Sequence, residues 1–127
     1  MGFYTARAPG APLLVGPYTG NGHVLACGSI AWGRGVCGAA AAAGAPVVVA
    51  NVAAFPGYIS CDEDTKSEVV VPVFGRAYAD GRAAAAGGPP ELIAVLDVDA
   101  DVVGAFDDED VAGLTAVLAD AFGGRDA

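Results

Sequence analysis

Ser67-Glu68-Val69-Val70-Val71-Pro72-Val73-Phe74 is the stretch that decides the fold. An apolar run of this length between turn-forming segments reads as a β-strand. One member breaks the pattern, because a carboxylate inside Glu68–Val71 needs a partner or solvent. Downstream, Glu91–Asp97 is a second apolar strand. Between the two, Gly75–Pro90 is rich in Ala, Gly and Pro and reads as a flexible hairpin extension away from any chemistry. Upstream, Pro46–Val52 is a continuous valine-rich run, which predicts a strand buried on both faces. An irregular loop, Ala53–Thr65, joins it to the deciding strand and carries Phe55-Pro56-Gly57 and Cys61.

Further outward, Gly2–Arg7 and Leu13–Tyr18 predict two short strands around the Pro/Gly turn Ala8–Pro12. A polar turn, Thr19–His23, precedes a strand over Val24–Ile30. Gly33-Arg34-Gly35 is a tight turn that delivers the chain into a short helix, Val36–Ala43. Gly44 and Pro46 stop that helix. At the far end Asp107 caps a helix running to about Phe122, with Val111, Leu114, Val117, Leu118 and Ala121 as one apolar stripe. The order β-β-β-α-β-loop-β-β-α predicts an α+β domain, an antiparallel sheet with helices packed against it.

With 127 residues the chain can build one domain with a real core, but not two. Its 54% hydrophobic content comes mostly from Ala and Val, and only 8% is aromatic, so large packing surfaces are scarce. A net charge of −9 opposes nucleic-acid binding, since phosphates would be repelled. Acidic runs at Asp62–Asp64 and Asp107–Asp110 read as solvated turns or helix starts. No secretory signal follows Met1. The uncharged stretch Gly35–Cys61 is interrupted by Gly38, Gly44, Pro46, Asn51 and Pro56 and is too alanine-rich for a membrane span. The expected location is cytoplasmic, with organelle import left open, and the cysteines are expected to be reduced at rest.

Sulfur is the strongest nucleophile available, at Cys27, Cys37 and Cys61. Each alone is more often a small buried hydrophobe than a catalyst. A Cys₃His zinc site with His23 lacks the usual C-x₂-C hairpin, so no metal is expected. Trp32 reads as a core or pocket-edge aromatic. Local electrostatics favour Cys37 as the attacking thiol, because a helix N-terminus and Arg34 should both lower its pKa. Asp62, Glu63 and Asp64 should disfavour a thiolate at Cys61 unless their charges point away. Cys61 nevertheless lies on a loop just ahead of Glu68, where contact with a substrate is easy. Glu68, Asp97 and Asp99 lie within or at the ends of apolar strands, where burial raises a carboxyl pKa into a useful range for proton transfer. On their own, Asp97 and Asp99 would read as an ordinary strand-end turn.

Taken together, several ordered motifs point to one family. They are Leu25-Ala26-Cys27, Gly33-Arg34-Gly35-Val36-Cys37-Gly38, Ala54-Phe55-Pro56-Gly57, Cys61-Asp62, Ser67-Glu68-Val69-Val70-Val71-Pro72 and Leu96-Asp97-Val98-Asp99. Gly2-Phe3-Tyr4 and Phe106-Asp107-Asp108-Glu109-Asp110 also fit. Over nearly its whole length the chain resembles the free methionine-(R)-sulfoxide reductases, which are GAF domains. The resemblance implies a GAF-like antiparallel sheet flanked by helices, in a single domain over residues 1–127. It also implies reduction of free L-methionine-(R)-sulfoxide by a thiolate, leaving a cysteine sulfenic acid. A second cysteine would condense with that acid to a disulfide, which thioredoxin would reduce, with no bound cofactor. On the same basis Cys61 attacks and Cys27 resolves, with Cys37 as an auxiliary or alternative resolving thiol. Glu68, Asp97 and Asp99 would line the pocket, hold the substrate ammonium and polarise the sulfoxide.

Family members carry further N-terminal helices and a tryptophan shortly before the Gly-Phe-Tyr strand, whereas here Met1 falls almost at that strand. The resemblance therefore leaves Tyr4 as the remaining wall of the cage for the substrate methyl group. It also leaves one sheet face uncovered, which favours association, for example as a homodimer. The alternative function is a non-catalytic GAF module that senses a small molecule or redox state.

Overall fold

The computed structural model describes residues 1–20, 26–78 and 90–122. In its sheet, the two longest strands, β5 (Ser67–Gly75) and β6 (Glu91–Ala100), pair antiparallel over their full lengths. Around them lie β1 (Gly2–Thr5), β2 (Leu13–Tyr18), β3 (Ser29–Ile30) and β4 (Val47–Val49), in the order β3-β2-β1-β6-β5-β4 with every pairing antiparallel. Helix α1 (Gly35–Ala43) packs on one face and α2 (Asp108–Phe122) on the other, giving the expected α+β architecture.

Strand alternation divides the core in two. Val70 and Val95 face α1 and pack with Val36, Cys37, Ala40 and Ala41. Their neighbours Val69, Val71, Val73 and Leu96 face α2 and pack with Leu118. Val69, Val70 and Val95 are fully buried, each contributing about 1.5–3 kcal/mol from water exclusion.

The glycines of the first helix explain its entry. Gly35 has φ +60°, a left-handed conformation. Gly38 donates to the Arg34 carbonyl at 3.0 Å, and its own carbonyl accepts from Gly33 N–H at 2.9 Å. A Cβ on Gly38 would lie 2.5 Å from the Ala31 carbonyl oxygen, so the turn holding Cys37 in place tolerates no side chain there. Gly38→Ala is expected to destabilise the protein by about 1–3 kcal/mol, and an unchanged thermal midpoint would contradict this packing. At the other end Gly44 takes the left-handed cap with its N–H shared between the Ala40 and Ala41 carbonyls, as predicted.

Several elements depart from expectation. β4 has three residues rather than seven and sits at the sheet edge with Val48 40% exposed, so it is not buried on both faces. The chain turns instead into a 3₁₀ turn, Val52–Ala54, started by the Asn51 side chain accepting from Ala53 N–H. β6 runs three residues past Asp97, which puts Asp97 and Asp99 in a strand rather than in a turn. In α2 Asp107 caps as predicted, accepting from the N–H groups of Glu109 and Asp110. Val117, however, is 65% exposed, and the buried stripe is carried by Val111, Leu114 and Leu118. Of the predicted Val24–Ile30 strand, Ser29–Ile30 is formed, and residues 21–25, with His23, lie outside the described residues. So does most of the Gly75–Pro90 extension, at residues 79–89. Among the described residues, no helix is long and apolar enough to cross a membrane.

Candidate active site

Register alone gathers the acids. On β6, Asp97 and Asp99 are two residues apart and therefore share a sheet face. Across the ladder Glu68 pairs with Asp99 and Val70 with Asp97. On the far side of β6, Gly2 pairs with Asp97 and Tyr4 with Val95. Glu68, Asp97, Asp99 and Tyr4 consequently point to the α1 face, where they line one pocket with Cys37, Cys61, Tyr58, Ile59, Asp62 and Thr65.

A serine behind the acids ties down the connection that follows them. Ser67 is fully buried, donates its hydroxyl to the Val102 carbonyl at 2.6 Å and accepts from Ala105 N–H. The turn after β6 is thereby fixed to the strand that carries Glu68.

Three carboxyls this close cannot all ionise in a buried site. Burial is the largest cause of their shift in each case. Glu68, 6% exposed, is pushed up to about 7, with the charge of Asp99 adding to the effect and a hydrogen bond from Asp97 opposing it. Asp99 rises to about 8, helped by Asp97, and Asp97 rises to about 9, helped by its hydrogen bond to Glu68 and the charge there. Asp97 Oδ1 is buried with no hydrogen-bond partner. Asp97 and Asp99 therefore keep their protons at neutral pH, Glu68 stands near its midpoint, and Asp97 Oδ1 has unused acceptor capacity.

The folded chain keeps these protons where the unfolded chain has released them, so stability falls with rising pH between about 4 and about 9. One unit of realised shift corresponds to about 1.4 kcal/mol. The thermal midpoint is thus expected to drop by about 3 °C or more across that window, and Asp97→Asn is expected to flatten the dependence. A midpoint that rises from pH 5 to 9 would contradict the burial of the trio.

The three cysteines are divided unequally. Cys27 and Cys61 form a disulfide, with their Cα atoms 5.3 Å apart, although the sequence predicts reduced thiols at rest. Both are partly exposed, as the loop before Glu68 brings Cys61 against the segment before β3. Cys37 is the free thiol and is buried. Its expected low pKa is overturned: burial and the nearby Asp97 and Glu68 carboxyls push it far above the usual thiol range, while Arg34 is exposed. Its Sγ donates to Glu68 Oε2 at 4.0 Å. The acidic run after Cys61 mostly points away, with Glu63 and Asp64 exposed and Asp62 at the pocket. Trp32 packs on the core.

Cys37, Glu68 and Asp97 place a sulfur and two carboxylate oxygens within 4.8 Å of one another, which makes them the metal-capable group among the described residues. Loss of a buried thiol proton and a carboxyl proton would oppose a cation there. Sequence reasoning missed Tyr58 and Thr65, which lie on the irregular loop with Cys61. The available signal was that both fall within four residues of that cysteine.

The sequence profile of the GAF domain family matches residues 7–124. The chain is 36% identical over 107 residues to the free methionine-R-sulfoxide reductase of Escherichia coli, covering 84% of this chain and 55% of that protein. It is 39% identical over 114 residues to protein YtsP of Bacillus subtilis, covering 90% and 60% respectively. Among solved structures, the free methionine-R-sulfoxide reductase of Neisseria meningitidis, in complex with its substrate, aligns with TM-score 0.72 and 38% identity. That alignment covers 91% of this chain and 60% of the Neisseria chain. The present chain thus spans less than two thirds of each of these relatives.

Proposed function

The chain belongs to the GAF domain family, and on that premise we propose that it reduces free L-methionine-(R)-sulfoxide with a Cys61–Cys27 thiol pair. The observation that carries this is the Cys27–Cys61 disulfide, whose Cys61 opens onto a pocket floored by Glu68, Asp97 and Asp99. The likeness to reductases of that name supports the choice of substrate.

In the reduced protein the substrate ammonium is held by the carboxyl trio, where Asp97 Oδ1 has acceptor capacity to spare. Tyr4, 5% exposed, forms the apolar wall for the methyl group. The Cys61 thiolate attacks the sulfoxide sulfur, and the oxygen takes a proton from the trio. Glu68, closest to neutrality at about 7, is the matched acid. Methionine leaves, its sulfur reduced by two electrons, and Cys61 becomes a sulfenic acid. The Cys27 thiol then displaces water to give the disulfide. A dithiol of the thioredoxin type returns both cysteines to thiols and is itself oxidised. Cys37, neutral and buried, serves in this scheme as a hydrogen-bond donor to Glu68. No prosthetic group enters the cycle.

Consumption of NADPH with thioredoxin and thioredoxin reductase tests this, comparing the two sulfoxide epimers. The R epimer is expected to be consumed and the S epimer left. A folded protein inert to both would instead support the non-catalytic sensing module.

A further inference from the structure

A free amino acid carries a cation and an anion on one carbon, and the carboxyl trio answers only the cation. The described residues lining the pocket include no lysine, arginine or histidine side chain. Apart from the Met1 ammonium, which acts on Asp97 and Asp99, the described lining offers hydroxyls and backbone N–H groups to the α-carboxylate. Its carbon lies about 2.5 Å from the ammonium nitrogen, so its donors must adjoin the trio.

Tyr58 meets that requirement, with Thr65 beside it. Both line the pocket from the loop that carries Cys61, and Thr65 is 8% exposed. Tyr58 is fixed through its backbone N–H, which donates to the Phe55 carbonyl at 3.2 Å. Its phenol feels the charges of Glu68, Asp99 and Asp97 and shares a side-chain hydrogen bond with Thr65. A hydroxyl can accept and donate at once, so a phenol that accepts from Thr65 keeps its own proton for a further acceptor. Burial, reinforced by the three carboxyls, pushes the phenol up to about 12, so it keeps its proton across the physiological range.

We propose that Tyr58, braced by Thr65, donates a hydrogen bond to the α-carboxylate of the substrate and so selects a free amino acid over sulfoxides that lack this group. The assignment rests on the sulfoxide reductase function proposed above. It makes Tyr58 a specificity-determining residue that acts in binding rather than in sulfur chemistry.

The test compares Tyr58→Phe with the wild type on L-methionine-(R)-sulfoxide and on its decarboxylated amine analogue. A hydrogen bond to a charged group implies that KM for the amino acid rises about tenfold or more, while kcat stays within about threefold. Parameters for the amine should hardly change, so the preference for the amino acid collapses. Thr65→Val, which removes only the brace, is expected to give a smaller rise of the same kind, and it reads out the proposal if Tyr58→Phe folds poorly. An equal loss on both compounds, or none on either, overturns the assignment while leaving the reductase function standing. A wild-type protein that turns over neither compound overturns the functional premise itself.

Discussion

Cys61→Ser is expected to abolish methionine production, by at least about a thousandfold, the scale on which loss of a nucleophile acts. Cys27→Ser is expected to behave differently. With no resolving partner it should release one methionine per chain and then stall with a sulfenic acid on Cys61. Cys37 is unlike either, since its thiol is buried against Glu68 and held far above the usual thiol pKa by burial and nearby acids. It is a poor nucleophile towards that sulfenic acid, and Cys37→Ser should retain multiple turnover with thioredoxin. Quench-flow measurement of methionine, with chemical trapping of the sulfenic acid, separates the three variants. A Cys61→Ser protein that still releases one methionine per chain would move the attack to another thiol.

Glu68→Gln is expected to lower kcat by about 10²–10⁴-fold, the range for removal of a positioned general acid. KM should change less, because Asp97 and Asp99 remain to hold the ammonium. The pH profile gives the sharper evidence. An acid must be protonated to act, so with its pKa at about 7 the wild-type rate should fall as pH rises through neutrality. In Glu68→Gln that limb should disappear. A variant of normal rate, or one that keeps the same alkaline limb, would remove Glu68 from the proton transfer.

How much of this was legible beforehand depends on the physical source of each feature. β5 and β6 were readable because apolar composition is recorded in the sequence, and the Asp107 cap and Gly44 stop because both are local chemistry. The grouping of Glu68 with Asp99 needed the β5–β6 register, which no spacing within one strand supplies. β4 misled because a valine run is the same on an edge strand as on a central one. The Val117 error has a similar origin: an apolar residue one position from Leu118 lies about 100° around the helix and faces solvent.

The thiols show the limit most clearly. Helix N-terminus and arginine are local cues, and they favoured Cys37, but desolvation by α1 packing on the sheet outweighs both. Tyr58 and Thr65 were hidden because an irregular loop carries no periodicity from which facing can be inferred.

The proposed redox pair is Cys61 and Cys27. Fully reduced protein mixed with one equivalent of L-methionine-(R)-sulfoxide, then quenched, alkylated and mapped by mass spectrometry, shows which thiols react. One methionine per chain, a Cys27–Cys61 linkage and alkylation confined to Cys37 are expected. Folded, reduced protein that yields no methionine and remains alkylated at all three cysteines would contradict this pairing.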